Sequence, residues 1–381
     1  MKFCTNCLEP DTRPGSKFSK DGLCLTCEYY YHFTKQYDNE ERIEIINKII
    51  KKNNKDKTNN DFDCILGVSG GKDSVRQALW VREKLNLKPL LVCCAYPPEQ
   101  LTDLGAKNLS NLIELGFDLL VTAPGPQTWK KFLKQGFING NYLRGPELAL
   151  YSSLPQIAIK YKINLIFWGE GGNGKTTDLK ILNKNKEYDG NSQRKTNTLK
   201  NCDVSWMHEF IDDEAKLIPY IYPSEKEFKL NNIKIIYIGW FMKDWSAVNN
   251  AKYSSLNGLE LRKDDVSKTA DLFGATALDE DFVVINQMIK YYKFGFGRVT
   301  DYLNYEIRDK KISRDLAKKI IEKYDGACDD KYIKNFCEYI DINKDEFWNI
   351  VSNFVNGDLF TINNKSTGKK FLPKFKVGEG L

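Results

Sequence analysis

Histidine is almost absent from this chain: only His32 and His208 occur among 381 residues. That scarcity rules out a histidine-rich metal site. It also leaves a Cys–His–Glu glutaminase triad little to draw on, because Cys202 with His208 is the one loose pairing and no strand–elbow pattern surrounds it. An N-terminal nucleophile is excluded as well, since Lys2 follows Met1. No apolar run reaches the roughly 18 residues that span a bilayer. The opening MKFCTNC has no apolar h-region, so no secretory signal and a cytoplasmic location are expected. Charge of one sign is scarce too. The 57 basic and 51 acidic residues leave only +6, which demands neither nucleic acid nor membrane and is low for a tRNA groove.

Cysteine, by contrast, is present ten times. In a reducing compartment these are thiols or metal ligands rather than disulfides. Cys4 and Cys7 form one C-x2-C pair, and Cys24 and Cys27 form another sixteen residues on. Four soft ligands at this spacing suit a closed, structural Zn2+ site, with Pro10, Pro14, Gly15 and Gly22 allowing a tight ribbon. An iron–sulfur cluster is the alternative for the same thiolates. Cys64, Cys93 and Cys94 lie in apolar strands and read as small core residues, and Cys202, Cys328 and Cys337 show no metal spacing.

From Phe62 short apolar strands alternate with helices. Expected strands are 64–68, 90–95, 117–121, 165–168 and 233–238, with helices between them. This alternation implies an α/β fold: a parallel sheet with helices on both faces and its ligand at the carboxyl ends of the strands. After Asp279 the pattern turns helical, with Phe282, Ile285 and Ile289 in one stripe and Leu316, Ile320 and Tyr324 in another. Ser313 would cap the second helix and Gly326 would stop it. The expected divisions are a cysteine unit over 1–35, a helix and linker over 36–60, an ATP-binding α/β domain over 61–245, and a mostly helical C-terminal region over 246–381. The basic tail from Lys365 has no assignable structure. The polar stretch 173–201 is long for a loop, as lids are.

Two glycine loops compete for phosphate. The first, Ser69-Gly70-Gly71-Lys72-Asp73-Ser74, follows a strand and opens a helix. Its glycines let backbone N–H groups approach an anion, and the helix start favours negative charge. Asp73 would repel a bare phosphate, so Mg2+ between the two is expected. The second, Gly169 to Thr176, fits G-x4-G-K-S/T letter by letter, as a Walker A loop does. However, no later strand ends in a metal-binding Asp, and the helix expected after Thr176 has a weak apolar stripe. Glu170 is read instead as facing the nucleotide or its Mg2+ from the end of the fourth strand.

The hexapeptide SGGKDS resembles the pyrophosphate loop of ATP pyrophosphatases, which adenylylate a carbonyl oxygen. That resemblance implies a five-stranded parallel sheet, with the adenine passing Cys94, Ala95 and Tyr96. The flanks narrow it. Residues 10–15 (PDTRPG), 21–27 (DGLCLTC), 167–170 (FWGE) and 293–326 are similar to the N-acetyl sugar amidotransferase family, over most of the chain. The resemblance implies conversion of an N-acetyl group on a bacterial surface sugar to an acetamidino group. Such sugars include nonulosonic acids such as pseudaminic or legionaminic acid, which decorate flagellin, and lipopolysaccharide residues. Ammonia is implied to come from a separate glutaminase subunit.

The implied catalytic residues are Lys72, Asp73 and Glu170, with Ser69, Gly70, Gly71, Ser74 and Gly169 around the nucleotide. Candidates for the sugar are Arg144, Glu187, Tyr188, Arg298, Asp301 and Arg308. The last three recur at helical spacing and would form one polar face, although a solvated Asp–Arg face accounts for the same spacing. In the family a shorter segment precedes the Glu-Tyr-Gly stretch to which Glu187–Gly190 corresponds. Trp240, Lys243, Asp244 and Trp245 would either stack on a sugar or lie in the core. tRNA thiolation is the rival function, but Cys93 and Cys94, adjacent in a strand, are poor sulfur carriers.

Overall fold

A computed structural model of the chain describes residues 1–33, 39–54, 62–170, 188–196, 199–363 and 369–379. Two compact units form. One comprises Met1–Lys35, Lys263–Gly274 and Asp281–Leu381, and the other Gln36–Arg262 and Ala275–Glu280. In chain order the first elements are α1 (Leu25–Phe33), α2 (Asn39–Asn54), β1 (Cys64–Gly67), α3 (Lys72–Lys84), β2 (Pro89–Cys94), α4 (Asp103–Glu114) and β3 (Leu119–Thr122). Then come α5 (Pro126–Ile138), α6 (Arg144–Tyr161), β4 (Leu165–Trp168), α7 (Glu225–Leu230), β5 (Lys234–Tyr237) and α8 (Ala247–Ser255). The remainder is α9 (Val266–Thr269), α10 (Val283–Phe294), α11 (Arg298–Arg308), α12 (Arg314–Tyr324), α13 (Asp330–Ile340), α14 (Lys344–Ser352), β6 (Phe360–Ile362) and β7 (Phe371–Pro373).

In the larger unit the strands are all parallel, in the order β3-β2-β1-β4-β5. The expected α/β class and five-stranded sheet are therefore present. Side chains alternate across each strand, and in β1, β2, β4 and β5 both sets are mostly buried, whereas the edge strand β3 is partly exposed. Cys64 and Leu66 pack with Val75, Ala78 and Leu79 of α3 and with Leu109 and Leu112 of α4. Ile65 points the other way, into a core with Leu154 and Ala158 of α6 and with Ile166 and Ile235. A sheet covered on both faces follows, which is why its strands read as unbroken apolar runs. The strand order reverses between β1 and β4, the position at which open parallel sheets hold a crevice at the carboxyl ends of their strands.

Helix starts follow from local chemistry. Thr102 caps α4 by accepting from the Gly105 N–H, and Ser224 with Glu227 forms a capping box on α7. In the smaller unit Ser313 caps α12 as expected, accepting from Leu316 N–H. The buried face of α12 is displaced by one residue from the expected stripe. Ala317 and Ile321 enter the core, whereas Leu316 is 51% exposed. The small Ala317 was hidden from a reading that weighted large side chains. The tail from Lys365, unassigned from sequence, supplies β7, which pairs antiparallel with β6, and Phe360 and Phe371 pack on Tyr292. Trp240 and Trp245 are core residues behind the sheet.

Gly326 ends α12 at φ +74°, and a Cβ there would lie 2.2 Å from Tyr291 Cδ1. Gly326→Ala should cost about 1–3 kcal/mol in urea unfolding. Gly357→Ala, with nothing within 4 Å, should stay within about 0.5 kcal/mol of the parent.

Candidate active site and thiolate centre

The first glycine loop lies at the β1 side of the crevice. Gly70 has φ +82°, and a Cβ there would come 3.0 Å from the backbone of Asn108 and Leu109 in α4. Only glycine combines that twist with that approach. Ser69 N–H donates to Ser74 Oγ at 2.9 Å, which closes the loop on itself. Gly71 caps α3 with no side-chain cap bond among the described residues, which leaves the first N–H groups of the helix available to an anion.

The three expected catalytic side chains come together here. Lys72 Nζ lies 2.8 Å from Asp73 Oδ2, and Asn250 Nδ2 donates to Asp73 Oδ1 at 2.7 Å. Glu170 follows β4, across the crevice. Its side chain reaches solvent, yet protein surrounds it on most sides. That surrounding pushes its carboxyl up to about 7, with the negative charge of Asp73 adding and Lys72 opposing. Gly169 has to be small, because a Cβ would lie 2.9 Å from Gln77 Oε1. Gln77 in turn donates to Gly67 O at 2.6 Å, tying α3 to the end of β1.

At the end of β2, Cys94 is half-buried and its thiol is pushed up to about 12 by burial. Cys93 is buried beside it. Neither thiol is primed to carry sulfur. Ala95 N–H donates to Thr122 O, and Tyr96 meets Trp129 edge-on at 5.6 Å.

Sequence reasoning missed several residues. Asp279 comes from the segment 275–280, which belongs to the sheet unit. Thr102 holds that segment through Leu278 O at 2.6 Å and Asp279 O at 3.1 Å. Gly105 of α4 admits it, since a Cβ would lie 2.5 Å from Asp279 Cα. Burial pushes the Asp279 carboxyl up to about 6, with Arg262 opposing. Gly70 and Asp279 thus rest on the same helix, three residues apart at Gly105 and Asn108. Arg76 grips Asp244 with two bonds of 2.9 Å and lies 4.2 Å over the Tyr253 ring. No local pattern marks Asp279 or Asn250, because both reach the loop only through tertiary packing.

Of the expected sugar residues, Arg144 and Tyr188 belong to this unit. Arg144 lies 3.7 Å from Asp203 and over the Trp206 ring. Tyr188 is half-buried and packs against the core on Trp240 and Phe241, while its carbonyl accepts from Tyr237 N–H. Glu187 and the loop 171–176 lie outside the described residues.

In the smaller unit the sulfurs of Cys4, Cys7, Cys24 and Cys27 all lie within 4.8 Å of one another and are buried. Backbone N–H groups of Glu9, Cys24 and Cys27 point at Cys7, Cys4 and Cys24 sulfurs. Arg308 is a correction to the sugar-binding expectation. It is 4% exposed and donates to Cys27 Sγ at 3.3 Å and Cys7 Sγ at 3.7 Å, so its charge answers the thiolates. Asp301 is held by Arg13 and Lys290, whose charges keep its carboxyl below the usual range against burial. Arg298 lies 5.8 Å over the Tyr302 ring. Arg314 donates to the Cys7 and Cys4 carbonyls, and Asn304 accepts from Leu8 N–H at 2.7 Å. The four thiolates are thus a metal-binding set framed by α11 and α12.

Residues 268–376 match the family described as LPS biosynthesis protein WbpG-like, C-terminal domain. No curated protein matches the chain. Among solved structures, the U34-tRNA thiolase NcsA from Methanococcus maripaludis with its 4Fe–4S cluster is similar. The identity is 12%, over 89% of this chain and 95% of that one, with a TM-score of 0.27. At that score the likeness carries no argument. Among the described residues no helix is long and apolar enough to cross a membrane.

Arg308→Ala strips the thiolates of their buried counter-charge and should cost about 3–5 kcal/mol. Arg308→Lys should lose less, because it keeps charge without the planar fork. Thermal melting in zinc-replete buffer measures both.

Proposed function

For a chain that carries the WbpG-like C-terminal domain of lipopolysaccharide biosynthesis proteins, we propose an ATP-dependent amidotransferase acting on an N-acetylated bacterial surface sugar. The observation that carries this reading is the meeting of Lys72, Asp73 and Glu170 at the end of a glycine loop, in the crevice between β1 and β4. The amide oxygen of the N-acetyl group attacks the α-phosphorus of ATP and expels pyrophosphate. An O-adenylyl imidate results. Ammonia adds at its carbon and AMP leaves, so the acetamido oxygen departs with AMP and an acetamidino group remains. Adenylylation is needed because an amide oxygen is otherwise a poor leaving group.

The uncapped start of α3 and Lys72 receive the pyrophosphate. Mg2+ held at Asp73 would supply charge neutralisation for the phosphate oxygens. Glu170 or Asp279, with carboxyls at about 7 and about 6, is suited to take the proton that ammonia sheds, since each is half-ionised close to neutral pH. With two histidines in the chain, ammonia is proposed to come from a separate glutaminase. A small, anionic sugar fits the low net charge. Nonulosonic acids such as pseudaminic or legionaminic acid belong to this class.

The thiolate centre is proposed to hold structural Zn2+. Zn–S bonds of about 2.3 Å place tetrahedral sulfurs roughly 3.8 Å apart, and Cys7 and Cys24 sulfurs lie 3.7 Å apart. A cubane, with four irons between its thiolates, spreads them wider. Elemental analysis should find zinc without iron.

Incubation with ATP, ammonium and activated N-acetyl sugars should yield AMP and pyrophosphate. The sugar product should be lighter by the difference between O and NH. Release of ADP would reject the reaction. Asp73→Ala and Lys72→Ala should lower turnover by at least about 100-fold, while Lys175→Ala should not. If Glu170 is the base, activity should rise as pH climbs through about 7, where the carboxylate form appears. Glu170→Gln should remove that limb of the profile.

A further inference from the structure

We propose that Asn250 is a positioning residue that aims the Asp73 carboxylate, and that α8 is a brace for the pyrophosphate loop. The proposal rests on the nucleotide reading of that loop and goes beyond it by assigning a helix nearly two hundred residues away to the same task.

Asn250 and Ser254 lie four residues apart on α8 and so share one face. Both are wholly buried. Ser254 Oγ donates to Lys72 O at 2.6 Å, and Asn250 Nδ2 donates to Asp73 Oδ1 at 2.7 Å. Between them Tyr253 lies under the Arg76 guanidinium, which also grips Asp244 just before α8. Asn249 Nδ2 returns to Asp244 O at 2.9 Å, and Ser246 caps the helix. One face of α8 thus holds three consecutive features of the loop helix: the Lys72 carbonyl, the Asp73 carboxylate and the Arg76 side chain.

The chemistry of Asn250 is specific. Its amide nitrogen faces Asp73, because the amide oxygen there would be repelled by the carboxylate. Its Oδ1 is buried without a hydrogen-bond partner among the described residues. A side chain placed for stability alone would have both ends satisfied. Here the amide is satisfied only toward Asp73. A neutral donor also holds a carboxylate without cancelling its charge, so Asp73 remains attractive to a divalent cation. Asp73 Oδ2 is held by Lys72 at 2.8 Å. When Lys72 turns to a phosphate, that oxygen is released to the cation, while Asn250 keeps the other oxygen in place.

The test is calorimetric binding of a non-hydrolysable ATP analogue to the full-length protein, with and without Mg2+. It needs neither sugar nor ammonia. Wild-type protein should bind more tightly with Mg2+. Asn250→Ala and the near-isosteric Asn250→Leu should each lose about tenfold of that enhancement, with Mg2+-free binding within about twofold of the parent. Asp73→Asn should abolish the enhancement, and adding Asn250→Ala to it should cause no further loss. An unchanged enhancement in a folded Asn250 variant would overturn the proposal, as would additive losses in the double variant. Absence of Mg2+-dependent nucleotide binding in the wild type would overturn it together with the nucleotide reading. Mg2+-dependent binding that weakens in the Asn250 variants, without sugar turnover, would sustain it and count only against the amidotransferase reaction.

Discussion

Like charges forced to share one crevice dominate this protein. Asp73 and Glu170 approach from the ends of neighbouring parallel strands, and the charge of Asp73 adds to what burial does to the Glu170 carboxyl. Lys72 offsets part of that repulsion, and Asn250 and Lys72 each hold one oxygen of Asp73. Glu170 reaches solvent and Asp73 is partly exposed, so water weakens this repulsion without removing it. In the proposed function phosphate, cation and proton complete this arrangement. The fold around it serves that end: Gly67, Gly70, Gly169 and Gly239 let backbone, helix and side chain approach where a methyl group would collide.

The sheet unit makes the crevice available. Parallel strands end together, and reversal of strand order between β1 and β4 opens the space above their carboxyl ends. Helix α4 extends the same floor, since both the Gly70 turn and the Asp279 segment rest on it. Helix α8 then steadies the loop from the far side of the chain. The smaller unit solves a different problem. Four thiolates are buried together, and a buried guanidinium with directed N–H groups stabilises their charge. Polar groups of α11 and α12 thereby become part of the centre's surroundings, and the C-terminal helices share a core with the cysteine knuckles.

The sugar-binding face is where sequence spacing misled. Arg298, Asp301 and Arg308 do share a helix, as their spacing requires. Spacing does not say what faces them. Arg308 meets sulfur, and Asp301 meets Arg13 and Lys290. A charged residue on a helix announces only that a partner or solvent lies opposite. The same limit applied to the tryptophans after β5, which entered the core.

The sequence by itself determined the elements whose signals are local. Paired cysteines marked the thiolate centre, alternating apolar runs marked the parallel sheet, and a six-residue run marked the glycine turn that opens α3. Each depends on neighbours within a few residues, where chain geometry leaves few options. Tertiary structure alone decided the rest: that Asn250 reaches Asp73, that Asp279 returns to the sheet unit, and that Arg308 serves sulfur. Those pairings join residues far apart in the chain, and packing, which no short window contains, selects them. The scarcity of histidine keeps its meaning in that light. With so little histidine, the groups whose titration is moved toward neutral pH include the carboxyls of Glu170 and Asp279, chiefly through burial.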